Sequence, residues 1–206
     1  MIKINKEERK RYKIQPPPQN IIFEYGKDEI GKYMEKKGVV IEQGKEVNCK
    51  EEKIESKLQK ELDFYIKEDA CQKILEHCYK MALEGKEAMG FLIGDVKYWK
   101  GLYSVVYDAI TASLEASPVY VRFSREAFEE IFDKLDELKY EYVLVGWYHS
   151  HLGYTSFMSS IDLETQEKYF SQPFHAAIVV DPIARQMKSF RLVNGECIEI
   201  PYAIFR

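Results

Sequence analysis

The chain has four histidines, His77, His149, His151 and His175, and two of them stand two residues apart in Gly146-Trp147-Tyr148-His149-Ser150-His151. Residues i and i+2 of a strand project from one face, so both imidazoles can converge on a point, as two ligands of a tetrahedral metal must. A lone histidine is more often a satisfied core or surface residue, and an HxH pair alone leaves the metal reading the weaker one. After seven intervening residues comes Ser159-Ser160-Ile161-Asp162. Ser-x-x-Asp at a helix start resembles a capping box with Asp in place of Glu, in which Ser159 caps the helix and Asp162 answers the helix dipole. The same helix start fixes side-chain direction, so Asp162 is also a candidate third ligand. Two histidines and one carboxylate leave a fourth position for water, the arrangement of a catalytic zinc. Such an ion brings the pKa of bound water to about 7 and polarises a carbonyl.

A water so activated needs a base. Glu84 and Glu87 both stand between the expected first helix and the apolar run that follows. Spacing does not choose between them, although Glu87 immediately precedes the apolar run and so sits where a side chain can enter a cleft at a sheet end. A cysteine nucleophile is the competing chemistry. Of Cys49, Cys71, Cys78 and Cys197, only Cys78 adjoins a histidine, His77, and neighbours on a helix point in different directions. Cys71 and Cys78, seven residues apart, read as small core hydrophobes on one helix face.

The elements that must position these groups follow from periodicity. Leu62 to Lys67 alternates as a strand. Asp69 is placed to cap a helix running to about Glu84, with Ile74, Cys78 and Met81 on its buried stripe. Ala88 to Tyr98 and Leu102 to Thr111 read as strands. Ser124 opens a second helix with Phe128, Ile131, Phe132, Leu135 and Leu138 in helical period. Tyr142 to Trp147 is an apolar strand of buried type. A third helix runs from Ser159 to Phe170, and Ala176 to Val180 and Lys188 to Val193 complete the pattern as strands. The order predicts one α/β domain over 61–206, a mixed sheet flanked by helices. Before it, residues 1–18 read as a basic flexible tail ending in the break Pro16-Pro17-Pro18. Residues 19–60 read as an accessory segment of open role, with the β-prone runs Ile21-Ile22-Phe23 and Val39-Val40-Ile41 and a charge-rich, potentially helical Lys50 to Lys60.

With 206 residues and 46% apolar composition the chain can bury one sizeable core plus an appendage. Its net charge of −4 speaks against a nucleic-acid binder. The charge is uneven: residues 1–60 carry 15 Lys and Arg against 11 Asp and Glu, the excess lying in the first 13 residues. A basic end of this kind touches RNA, lipid or an acidic partner, or is simply solvated. No apolar run approaches the ~20 residues of a membrane span, the N-terminus lacks a signal peptide, and the cysteines show no paired spacing. The expectation is a soluble protein of a reducing cytoplasm.

Taken together, Glu87, His149-x-His151 and Ser159-x-x-Asp162 match in full the signature of the JAMM (MPN+, Mov34/PAD-1, JAB1-like) zinc metalloproteases. The segment from Glu87 to Gly94 resembles that family's glutamate strand. The stretch Gly146 to Gln166, with Val179-Val180-Asp181-Pro182 after it, is most similar to the isopeptidase subunits of the proteasome lid and the signalosome. The resemblance covers roughly 61–200 and selects Glu87 over Glu84. It implies an MPN fold, a cytidine-deaminase-like mixed sheet with flanking helices. It implies a single Zn2+ on His149, His151 and Asp162, Glu87 as general base and Ser159 as oxyanion donor. The implied reaction is hydrolysis of the isopeptide bond between the C-terminal glycine of ubiquitin or a ubiquitin-like protein and a lysine amine. The same residues would serve a relative that trims a sulfur-carrier or ubiquitin-like precursor. Non-catalytic MPN scaffolds typically lose the ligands, all of which are kept here. Two departures flank the site: Leu152 where close relatives carry proline, and Ser156-Phe157-Met158 where they commonly have Cys-Trp-Leu. The short run after the last expected strand favours a compact, prokaryotic-type member acting alone or as a homo-oligomer such as a homodimer; the resemblance also implies proteasome-type machinery as a partner. A basic N-terminal arm against an acidic domain suggests a shield for the cleft or a modifier-recognising piece, with a solubilising appendage as the plain alternative.

Overall fold

A computed structural model of the protein describes residues 6–41, 61–111, 114–117, 120–123 and 142–206. Cys49, Lys50 to Lys60 and the helix expected from Ser124 lie outside the described residues. The N-terminal part holds helix α1 (Lys6–Arg9), strands β1 (Lys13–Ile14) and β2 (Ile21–Glu24), and helix α2 (Ile30–Lys36). Strand β3 (Phe64–Lys67) leads directly into α3 (Glu68–Leu83), followed by β4 (Met89–Tyr98), β5 (Leu102–Ile110), β6 (Leu114–Ser117) and β7 (Tyr120–Phe123). Then come β8 (Val143–Ser150), α4 (Ser160–Tyr169), β9 (Ala176–Asp181), β10 (Gln186–Val193), β11 (Glu196–Ile200) and β12 (Ala203–Phe205).

The main sheet is mixed, in the order β11-β10-β9-β8-β4-β5-β3-β12-β2, with β1 against the far end of β4; β6 and β7 pair apart as a hairpin. Pairings β8/β9, β3/β5 and β3/β12 are parallel, and β4 is antiparallel to both β5 and β8. The sheet curls. Arg191 on β10 donates to Asp63, just before β3, at 2.7 Å with both side chains buried, although β10 and β3 are not neighbours in the order.

The two faces have separate cores. Helix α3 lays Ala70, Cys71, Ile74, Leu75 and Cys78 on one face, a stripe at helical spacing, with Met81 half-buried at its margin. Burying Ile74 or Leu75 fully contributes roughly 1.5–3 kcal/mol each. On the opposite face Phe91, Trp147, Ala177 and Phe170 form a second cluster. The Trp147 indole N–H donates to Gln166 Oε1 at 2.7 Å, so α4 is tied to β8 by both a hydrogen bond and ring stacking. Gly146 is forced by close approach, since a Cβ there would lie 1.9 Å from the Ala176 carbonyl oxygen. The register of β8 on β4 shifts at this point.

Three expectations change. Asp69 does not cap α3: Lys67 occupies that position without a side-chain bond, and Asp69 sits in the first turn, paired with Lys67 at 2.8 Å. Val39-Val40-Ile41 forms no strand; Val39 is buried in the α3 core by the turn after α2, and Ile41 N–H donates to Pro182 O. The basic end is placed along the sheet: β1 runs parallel to β4, Arg9 lies over the Tyr98 ring, and Tyr103 donates to Gln15 O. The described part of the 19–60 segment likewise joins the sheet, with β2 antiparallel to β12 and Phe23 and Met34 in the α3 core.

Candidate metal centre

Alternation along β8 sends Tyr148 toward α3 and Trp147 and His149 toward α4. The His149 ring stacks on Trp147 at 4.6 Å and 18°. It is wholly buried, and among the described residues neither ring nitrogen has a hydrogen-bond partner; Nε2 lies 3.3 Å from Asp162 Oδ2 without hydrogen-bond geometry. A buried polar atom left without a partner normally costs free energy, so its presence calls for a ligand. Burial lowers the pKa of His149, against the pull of Asp162, and keeps the ring neutral with a lone pair to give.

His151 follows the strand end, its N–H still bonded to Val180 O. Its Nδ1 is 2.6 Å from Thr155 O, which fixes Nδ1 as the protonated nitrogen of the neutral ring and turns Nε2 toward Asp162, 3.9 Å away. Burial pulls the His151 pKa down, but Asp162 and the Thr155 carbonyl prevail and raise it. Thr155 is held at φ 70, a left-handed conformation that costs a β-branched residue about 1–3 kcal/mol. Phe157, one of the departures in the flanking loop, packs its ring 4.7 Å from that of His151 and is 43% exposed.

The capping box and the third-ligand position coexist in Asp162. Ser159 N donates to Asp162 Oδ2 at 2.7 Å, and Asp162 N donates to Ser159 Oγ at 3.3 Å. Burial opposes its charge, but His149, His151 and Ser159 outweigh that and hold the carboxyl well below the usual carboxylate range. One ligand atom from each of His149, His151 and Asp162 lies within 4.8 Å of the other two. Two imidazole nitrogens and one carboxylate oxygen in this arrangement suit zinc with one position left open.

Glu87 stands between the C-cap of α3 and β4, buried, its carboxyl pushed up to about 7 first by burial and then by Asp162 and Asp181, with His151 opposing. Its neighbour Ala88 is clamped to the HxH segment from both sides: Ala88 N donates to Ser150 Oγ at 2.7 Å, and Ser150 N donates to Ala88 O at 2.9 Å. Glu84, by contrast, is exposed and paired with Lys86. The other two histidines stand apart from the trio. His77 bonds the Tyr148 hydroxyl at 2.9 Å, and His175 accepts from Gln172 N, its pKa lowered to about 4 by burial. Burial pushes the Cys78 thiol up, the reverse of what a nucleophile needs.

Sequence reasoning did not reach the supporting groups: Ser150 on Ala88, Gln166 on Trp147, the Thr155 carbonyl, and Asp181 beneath the loop. A backbone carbonyl carries no residue-type signal, and Ser150 lay in plain view between the histidines without any spacing that marks a clamp.

Residues 59–172, more than half of the chain, match the family model described as JAB1/Mov34/MPN/PAD-1 ubiquitin protease. COP9 signalosome complex subunit 5 of Eremothecium gossypii is 37% identical over 116 residues, covering 55% of this chain and 26% of that protein. The AMSH-like protease of Homo sapiens is 31% identical, with 65% of this chain and 29% of that protein covered. The 26S proteasome regulatory subunit RPN11 of Eremothecium gossypii is 34% identical, with 63% and 43% covered. The chain thus spans between about a quarter and less than half of the length of these relatives. In fold it is similar to the solution structure of protein DSY2949 from Desulfitobacterium hafniense, with a TM-score of 0.51 at 18% identity, covering 68% of this chain and 92% of that one. Among the described residues no helix is long and apolar enough to cross a membrane.

Proposed function

The chain belongs to the JAB1/Mov34/MPN/PAD-1 family, and on that premise we propose that it is a zinc-dependent isopeptidase acting on conjugates of ubiquitin or a ubiquitin-like protein. The observation that carries the reading is the buried convergence of His149, His151 and Asp162, with both His149 nitrogens unpartnered, beside a glutamate whose carboxyl titrates near 7. The description of the family, a ubiquitin protease, supports ubiquitin-linked partners. The catalytic unit is read as residues 61–206, with the described part of 19–60 sealing one edge of its sheet.

His149, His151 and Asp162 would hold the ion. When bound, zinc polarises the scissile carbonyl and brings a water molecule to a pKa of about 7. Glu87 accepts the proton of the attacking water and hands it to the departing lysine amine, a task for which a carboxyl titrating near ambient pH is suited. Ser159 Oγ already accepts from Asp162 N, so its own proton is free to be donated to the developing oxyanion. Trp147 and Gln166 hold the His149 ring in place, and the Ser150 clamp holds the backbone next to Glu87.

The test is to offer the zinc-loaded protein branched conjugates of ubiquitin and of ubiquitin-like proteins beside linear fusions, with Glu87→Gln as control. Cleavage of a branched conjugate by the wild type alone is expected. Cleavage of linear fusions only would reassign the protein to precursor trimming. A zinc-loaded chain that cuts none of them would overturn the proposal.

A further inference from the structure

Asp181 closes β9, wholly buried, and its carboxylate gathers four backbone N–H groups from two separate turns. Oδ1 accepts from Ile183 N at 3.0 Å, Ala184 N at 2.8 Å and Gly153 N at 3.1 Å. Oδ2 accepts from Gly153 N at 2.9 Å and Thr155 N at 2.9 Å. The first set only folds the chain back on itself after β9. The second reaches across to the loop that follows His151. There Thr155, pinned through its N–H and kept at φ 70, turns its carbonyl onto His151 Nδ1. At this point of the loop Tyr154 is exposed and Thr155 half-buried. A left-handed, β-branched residue persists only where its surroundings over-determine it, and here the Asp181 carboxylate holds Thr155 N while Gln186 Oε1 accepts from the next amide, Ser156 N, at 3.2 Å.

We propose that Asp181 is a positioning residue of the metal centre: through Thr155 it fixes the tautomer and direction of the His151 ring, so that Nε2 is presented to the ion. The inference rests on His151 being a metal ligand. A histidine ligand whose other ring nitrogen donates to a backbone carbonyl is a more basic and better-oriented ligand, and loss of such an outer partner typically lowers metal affinity 10–100-fold. Here the outer partner is itself held by a carboxylate one step further out.

Asp181→Asn separates the two jobs of the side chain. Its amide oxygen best replaces Oδ1, which serves three donors, and its NH2 then faces the N–H of Thr155. The turn at Ile183 and Ala184 keeps its acceptor while Thr155 loses its anchor.

The experiment is 15N NMR of the histidine rings in the metal-free protein, at a pH above the histidine range, together with zinc affinity. In the wild type His151 should carry its proton on Nδ1 alone. Asp181→Asn should give a mixture of tautomers and a 10–100-fold weaker zinc affinity. A wild-type ring protonated on Nε2 overturns the proposal whether or not the variant folds. So does an Asp181→Asn protein that merely melts earlier, with tautomer and zinc affinity unchanged. Failure of the wild type to bind zinc at all would instead count against the metal centre itself, leaving the ring measurement to judge the Asp181 contact.

Discussion

Among the described residues, carboxylates in two regions are treated differently. At the seam where the N-terminal part joins the sheet, each carboxylate has donors. Glu199 accepts from the Tyr25 hydroxyl and from Lys188 Nζ at 3.1 Å, and Glu68 accepts from Lys37 Nζ at 2.9 Å and Arg206 Nε at 3.0 Å. At the candidate metal centre Asp162 faces two imidazoles rather than a lysine or arginine, His149 has no hydrogen-bond partner among the described residues, and the Glu87 carboxyl is held toward its neutral form. A seam satisfies its charges internally because its task is to stay shut. A site that is to take a cation and move a proton leaves those capacities open, and this costs the fold stability.

The contrast breaks most visibly at His149. In His149→Ala the fold should be retained, because no hydrogen bond among the described residues is lost with the ring, while metal analysis should find zinc gone and turnover undetectable. A variant that still holds one zinc per chain would remove His149 from the ligand set. Next in size, Ser159→Ala lowers turnover ~10²–10³-fold at full zinc occupancy, and loss of its cap costs about 1 kcal/mol in denaturant unfolding. If only the stability falls, Ser159 is a helix cap and nothing more.

A third prediction concerns pH. The folded pKa of Glu87 lies above its unfolded value: about 7 against 4.5. Across that window the folded protein keeps a proton that the unfolded chain has released, so Glu87 makes the metal-free protein less stable as pH rises through it. Glu87→Gln removes the penalty. The metal-free variant should exceed wild type by about 1–2 kcal/mol near pH 8, a figure discounted for the carboxyl's remaining solvent contact, and match it near pH 4. Equal stabilities at both ends would mean that Glu87 is solvated. At the seam the sign reverses: Tyr25→Phe takes a donor from Glu199 and should lower stability by about 1 kcal/mol, with zinc affinity unchanged.

The grouping of His149, His151 and Asp162, which could hold a metal, was legible because its signal is local. Strand alternation places His149 and His151, and the helix start places Asp162, each within a few residues. The preference for Glu87 needed the whole motif, and the structure gives the physical difference: Glu84 ends α3 in solvent while Glu87 is drawn under the sheet. What could not be read is long-range. Nothing in Ile21–Glu24 or Ala203–Phe205 says that these short strands pair with each other, or that the second also pairs with β3. Val39 is as β-prone in a strand as in the turn that buries it. The Asp181–Thr155–His151 chain passes through a backbone carbonyl and a left-handed residue, which spacing does not encode.

The most direct measurement compares wild type and Glu87→Gln, each with one zinc per chain, on the isopeptide conjugate that the wild type cuts fastest. Loss of the general base should lower kcat by ~10²–10⁴-fold with zinc affinity kept. In the wild type, the rate should rise with pH to a plateau with a midpoint at or below about 7, since a bound cation favours the charged carboxylate. A Glu87→Gln protein that turns over at the wild-type rate would contradict the account.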